Sequence, residues 1–184
     1  AIQIQLFKAL GAEVPKLGHL ALIRSQESKI SKRIGGFDLK TLREVNKLHP
    51  MAVISLLSTI GTSNPIKEFL NINEVIEQFD INSFSKSPMN YSLEELYRIN
   101  HKIVSKLSFE EVKPILQELN LDYIDEEFWL AVRPNLNTVH EIQDWWAICK
   151  EKPVQEISVQ DKEFLEISAK LLPKEINEDS WLVW

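Results

Sequence analysis

Apolar positions recur at helical spacing along most of this chain. Residues 2–10 open on Ile2, Leu6, Phe7 and Leu10, a run that Gly11 stops. Leu20–Ile23 is short, apolar and β-compatible, the best strand candidate, and the polar stretch Arg24-Ser25-Gln26-Glu27-Ser28 reads as a loop. From residue 38 the helical period dominates. Asp38 is placed to cap a helix carrying Leu39, Leu42 and Val45. Pro50 suits a first-turn position of a helix ended by Gly61, whose inner face is read as Val53, Ile54, Leu57 and Ile60. Asn64-Pro65 marks a turn, and a short helix is predicted around Glu74–Phe79. Three capping-box pairs precede apolar-periodic runs: Ser92 with Glu95, Ser108 with Glu111, and Thr138 with Glu141. Further helices are predicted over 125–133, 159–171 and 178–184. Short connections make successive helices antiparallel neighbours. The expected class is mainly α, a helical bundle that follows a short α/β piece.

Composition narrows the function classes. With 184 residues, 44% hydrophobic and 26% charged, the chain suits one large domain or two small ones. Five Gly and eight Pro exclude collagen-like and low-complexity classes. The single cysteine, Cys149, excludes an internal disulfide and a Cys-rich zinc site, and points to a reducing, cytoplasmic home. No apolar run has the length of a membrane span. Charge is uneven: residues 1–50 hold nine Lys/Arg against four Asp/Glu, a balance of +5, and residues 51–184 hold twelve against twenty-three, a balance of −11. Such a split suits an amino-terminal quarter that meets an anion, or else an accident of helix faces. Both termini are apolar and uncapped, which reads as a piece of a longer polypeptide.

The sharpest local string is Lys29-Ile30-Ser31-Lys32-Arg33 followed by Gly35-Gly36. Ammonium groups, a hydroxyl and exposed amides at this spacing suit a polyphosphate clamp, and equally a basic surface loop. The string resembles the KMSKS signature loop of class I aminoacyl-tRNA synthetases. Leu6-Phe7-Lys8-Ala9-Leu10-Gly11 and Pro15…His19-Leu20…Leu22-Ile23 resemble the family's approach to that loop. Gly35-Gly36, Leu42-Arg43, Pro50…Leu56-Leu57…Gly61, Ser85-Lys86-Ser87-Pro88 and Asn100…Ile103…Leu107 continue the pattern. Along residues 6–107 the chain is similar to the bacterial glutamyl-tRNA synthetases; beyond residue 110 the similarity is one of helical pattern. Ile30, Ala21 and His101 depart from the usual residues. None of His19, His49, His101 and His140 lies in an H-x-G-H setting, so the resemblance is to the carboxyl-terminal portion of the enzyme.

That resemblance implies a division into residues 1–36, the end of a class I catalytic domain with the signature loop; 37–84, a helical stem-contact region; and 85–184, an α-helical anticodon-binding domain incomplete at its end. It implies ATP and L-glutamate as substrates, Mg²⁺ with the ATP, and glutamate-accepting tRNA as partner, with the glutamine-accepting tRNA as a further candidate. It further implies a monomer; no zinc is expected because one Cys and scattered His give no zinc spacing, and no membrane because no apolar run is long enough. Lys32 is the expected catalytic cation. Lys29, Ser31 and Arg33 are expected on ATP, with Leu22 and Ile23 bringing backbone to the adenine edge. Tyr91, Tyr97, Arg98 and Arg133 are candidates for tRNA contact. Arg98, Lys102 and Lys106, spaced four apart, form either a phosphate-following stripe or a solvated face.

Other residues read as structural. Trp129, Trp145, Trp146 and Trp181 are expected in the core. His19 is read as a hydrogen-bonded structural histidine, and Cys149 as a small buried residue. Asp125–Glu127 fits the negative first turn of a helix better than a metal loop. A non-catalytic helical tRNA-binding or scaffolding module is the alternative to the ligase, and a glutaminyl enzyme is disfavoured because its anticodon region is β-built.

Overall fold

The computed structural model describes residues 2–25, 38–150, 157–177 and 179–183. It divides into two compact units, residues 1–145 and 146–184. Both are mainly helical. The signature-like string Lys29-Ile30-Ser31-Lys32-Arg33 lies outside the described residues.

The first unit begins with α1 (Ile2–Ala9), closed by Gly11 at φ +68°, a left-handed position that glycine adopts without strain. Strand β1 (Ile23–Ser25) follows, so the extended segment starts at the end of Leu20–Ile23 and takes in Arg24 and Ser25, read as loop from sequence. Its partner is β2 (Met89–Tyr91), in parallel, with Ile23 opposite Met89 and Ser25 opposite Tyr91. Helix α2 (Leu39–Glu44) is capped as expected by Asp38, whose carboxylate accepts from the Thr41 amide at 3.0 Å and the Thr41 hydroxyl at 2.9 Å. The same bonds hold the Asp38 carboxyl below its usual range.

Helix α3 (Pro50–Thr59) carries Pro50 in its first turn and ends before Gly61, as the sequence indicates. Of the expected inner face Ile60 is buried, Val53 and Ile54 are half-buried, and the rest of the buried face is different. Met51, Ala52, Ser55, Leu56 and Thr59 are buried, and Leu57 is exposed. Two polar residues occupy the inner face because each is satisfied there. The Ser55 hydroxyl accepts from the Phe69 amide at 2.9 Å, and the Thr59 hydroxyl donates to the Ser55 carbonyl at 2.8 Å. After α4 (Ile72–Gln78) and β2 comes α5 (Leu93–Val104), which buries Leu96, Ile99, Asn100, Ile103 and Val104, a single stripe at helical spacing. It packs against α3.

Helix α6 (Phe109–Glu118) starts with a complete capping box of Ser108 and Glu111. Asn120 at φ +58° closes it, and the Leu121 amide bonds back to the Leu116 carbonyl at 2.8 Å. Helix α7 (Glu126–Val132) has Asp125 as its cap, which confirms the acidic first turn. Trp129 is fully buried and donates its indole N–H to the Leu107 carbonyl at 3.1 Å. The Thr138 capping box does not form: the Thr138 side chain makes no cap bond, and Glu141 accepts instead from the Asn137 amide at 2.7 Å. Helix α8 (Ile142–Lys150) follows, with Trp145 and Trp146 half-buried and Cys149 exposed, three departures from the core reading. His19 is likewise exposed.

The second unit starts within α8 and contains α9 (Val159–Leu171) and α10 (Ser180–Val183), close to the spans read from sequence. Ser158 caps α9, accepting from the Asp161 amide at 3.1 Å. Among the described residues no helix is long and apolar enough to cross a membrane.

Candidate functional site

Two parts of the first unit position the candidate residues, and the first is the short parallel sheet. The Met89 amide donates to the Leu22 carbonyl at 3.1 Å, so that oxygen is committed to β2. Leu22 is exposed and Ile23 half-buried. Gly61 holds the sheet against the end of α3. Its φ is +86°, its carbonyl accepts from the Ser85 amide at 2.7 Å, and a Cβ built on it would lie 1.7 Å from the Met89 sulfur. Only glycine leaves room for Met89 here, and β1 is paired with the strand that Met89 begins. Ser25, the last residue of β1, therefore enters the segment containing Lys29, Ser31, Lys32 and Arg33 from a fixed register. Those four residues themselves lie outside the described ones.

The second part is the solvent side of α5. Arg98 forms a fork with Glu95, Nε to Oε2 at 2.9 Å and Nη2 to Oε1 at 2.5 Å. Lys102 and Lys106 converge on a single carboxylate, Glu68, at 3.3 Å and 2.8 Å. The Lys106 ammonium, with lesser help from Lys102, holds the Glu68 carboxyl down to about 2, against an ordinary value of 4.5. The stripe read from sequence is thus assembled, and two carboxylates reduce its three positive charges to a net +1.

Other tRNA candidates are placed elsewhere. Tyr91 is 5% exposed, and burial pushes its phenol up to about 12. Its ring belongs to the core and offers no face to a base, which corrects the sequence reading. Arg133 donates through Nη1 to the Leu107 carbonyl at 2.7 Å, beside the Trp129 indole, and so helps close the end of α5. Tyr97 accepts from the Asn46 side-chain amide at 2.8 Å.

Sequence reasoning gave Asn100 no structural role. It is fully buried, its Oδ1 accepts from the His49 amide at 2.7 Å, and its Nδ2 donates to the Asn137 carbonyl at 2.5 Å. One side chain therefore ties the start of α3 and the 137 segment to α5. Its place on the buried stripe of an amphipathic helix was the available signal. His49, whose Nδ1 accepts from the Met51 amide at 3.2 Å, has its pKa lowered by burial, which suits this acceptor role. Among the described residues no cluster of three His, Cys, Asp or Glu side chains forms a metal site.

Comparison with known proteins adds to this geometry. Residues 1–98 match the family model described as tRNA synthetases class I (E and Q), catalytic domain. The whole chain is 49% identical to glutamate–tRNA ligase 2 of Rickettsia canadensis, covering 42% of it. It is 48% identical to glutamate–tRNA ligase 1 of Rickettsia massiliae, covering 41%. The chain thus spans about two-fifths of the length of these curated relatives. A crystal structure of a glutamate tRNA ligase from Elizabethkingia meningosepticum in complex with its amino acid aligns with 78% of the chain and 34% of its own, at TM-score 0.56 and 26% identity. The glutamate–tRNA synthetase of Elizabethkingia anophelis covers 95% of this chain and 41% of its own, at TM-score 0.61 and 21% identity, a likeness of fold.

Proposed function

The chain belongs to the class I tRNA synthetases of the glutamate and glutamine type, and on that premise we propose that it is the carboxyl-terminal portion of a glutamate–tRNA ligase. The observation that carries this reading is a strand pinned in register that ends at Ser25, with three residues between it and Lys29-Ile30-Ser31-Lys32-Arg33 in the sequence. In this reading residues 1–36 end the catalytic domain, 37–84 contact the tRNA stem, and 85–184 form an anticodon-binding bundle. The complete enzyme joins glutamate to ATP as glutamyl-adenylate and pyrophosphate, then passes the glutamyl group to the terminal adenosine of tRNA(Glu), or also of tRNA(Gln). The chain alone lacks an H-x-G-H motif and is inactive in adenylate formation; it acts as a monomer within the whole enzyme.

Charge accumulates on the α-phosphate and the departing pyrophosphate as the glutamate oxygen attacks. Lys32 stabilises that charge, Lys29 meets the phosphate tail, and Ser31 and Arg33 order the loop around it. Ile23 and Leu22 set the strand from which the loop starts. Mg²⁺ would enter with ATP and supply charge neutralisation on its phosphates; among the described residues no group of three His, Cys, Asp or Glu side chains is placed to hold it. Arg98, Lys102 and Lys106 meet tRNA phosphates.

Binding of the chain to tRNA(Glu) transcripts across a salt series tests the RNA half of this proposal. Affinity that falls when the anticodon bases are replaced, at an unchanged salt slope, supports an anticodon reader in the helices. Equal and strongly salt-dependent binding to both transcripts favours the non-catalytic module.

A further inference from the structure

Beside the α5 cations, the end of α3, the 64–69 loop and α4 enclose a cleft of about 340 Å³. That is the lower end of the range for small-ligand sites, ~300–1,000 Å³. Its floor is apolar, with Phe69 and Val75 both buried. Phe79 forms a wall and is 49% exposed, with its ring 5.6 Å from that of Phe84. Asn64 and Gln78 also line the cleft, and neither side-chain amide has a hydrogen-bond partner among the described residues. Lys67 stands at the edge with its ammonium 5.0 Å from the Phe69 ring centroid and no carboxylate partner among the described residues. Asp80, the carboxylate in the lining, accepts through Oδ1 alone from the backbone and side-chain amides of Asn82 at 2.9 and 3.0 Å.

An exposed aromatic ring, two uncommitted amides and a cation without a counter-ion suit one chemistry. A planar heterocycle stacks on the ring, each amide presents both a donor and an acceptor to its edge, and the ammonium meets an attached phosphate. A purely apolar ligand leaves both amides desolvated without partners, and a simple anion has no use for Phe79. Lys67 immediately precedes Glu68, the residue that gathers Lys102 and Lys106. A phosphate backbone lying on those two lysines is therefore brought next to the cleft.

We propose that this cleft receives one unpaired nucleobase flanking the stem that residues 37–84 contact, with Phe79 as stacking platform, Asn64 and Gln78 reading its edge, and Lys67 on its phosphate. The inference rests on the tRNA-binding reading. Its test is filter binding of tRNA(Glu) transcript to the full chain at fixed salt, for the wild type, Phe79→Ala, Phe79→Trp and the double variant Asn64→Ala/Gln78→Ala. Chemical probing of the RNA and binding of the four nucleoside monophosphates accompany it. Phe79→Ala is expected to weaken RNA binding about tenfold, the loss of one base stack. Phe79→Trp retains affinity, and one nucleotide protected by the wild type becomes reactive in the Phe79→Ala complex. The amide variant, whose side chains have no partners to lose, loses affinity with an unchanged urea midpoint. Monophosphate binding that depends on Phe79, with RNA binding indifferent to it, assigns the base site to free nucleotides and overturns the RNA source. RNA affinity unchanged in every variant overturns the proposal alone, and a wild type that binds no RNA overturns the tRNA-binding reading itself.

Discussion

Replacing Gly61 with alanine tests the link between the helical layer and the strand that precedes the Lys29–Arg33 string in the sequence. Two costs are expected, and they separate. The backbone at φ +86° places an L residue in the left-handed region, which costs about 1–2 kcal/mol. The new Cβ lies 1.7 Å from Met89 Sδ, 2.8 Å from Cε and 3.0 Å from Cγ, against a normal contact of about 3.5–4.0 Å. Met89 is half-buried, and moving its side chain off Gly61 carries an overpacking cost of about 1–3 kcal/mol, toward the lower figure where a rotamer change suffices. The single substitution should therefore destabilise by roughly 2–5 kcal/mol. In a Met89→Ala background the three clashing atoms are gone, and Gly61→Ala should cost only the backbone share. Urea unfolding of the full chain, followed by the summed fluorescence of its five tryptophans, of which Trp129 is buried, reads all four corners of the cycle. Equal costs in the two backgrounds refute the reasoning, because Met89 would then not be seated on Gly61.

Three further outcomes follow from other contacts. Asn100→Ala strands the His49 amide and the Asn137 carbonyl and should cost about 2–4 kcal/mol in urea unfolding, with a cost under about 1 kcal/mol contradicting the tie between α3 and α5. Glu68 has a folded pKa of about 2, below its ordinary 4.5, so its contribution is complete above the ordinary value and disappears as pH falls through the folded one. Screening limits it to about 1 kcal/mol, and the stability gap between wild type and Glu68→Gln should hold near pH 6, then close between about pH 5 and 2; a gap that persists at pH 2 removes the ion pair as its cause. In the complete enzyme, Lys32→Ala should slow adenylate formation by about a hundredfold in pre-steady-state ATP consumption, and a rate within a few-fold of wild type removes Lys32 from catalysis.

Which features were legible in the sequence depends on how far apart the partners lie. Asp38, Ser92, Ser108 and Asp125 cap helices through amides three residues away, so a short string contains the whole interaction. The stripe on α5 was equally local. Strand β2 was not, because its pairing partner is Ile23–Ser25, far upstream, and three residues after Pro88 carry too little pattern to announce a strand. The α3 face was misread because Ser55 and Thr59 are polar by type and buried in fact. Their hydroxyls are consumed by the Phe69 amide and the Ser55 carbonyl, a satisfaction that hydropathy does not register. Trp145 and Trp146 show the opposite error, aromatic residues in an amphipathic run that stay half-buried.

The candidate site obeys the same rule and adds a consequence. The string from Lys29 to Arg33 is recognisable because its cations and hydroxyl are neighbours in the chain, whereas the state of the α5 cations depends on Glu68, 34 and 38 positions away from Lys102 and Lys106. Sequence spacing shows that three cations share a face and says nothing of the carboxylates already gathered there. With Glu95 and Glu68 in place the net charge is +1, so under the proposed reading an RNA on this face would release few counterions. An RNA held on such a surface needs contacts that salt does not screen. Stacking is one of them, and the cleft that opens beside Lys67, with Phe79 exposed in its wall, stands one residue from the carboxylate that neutralises the lysines.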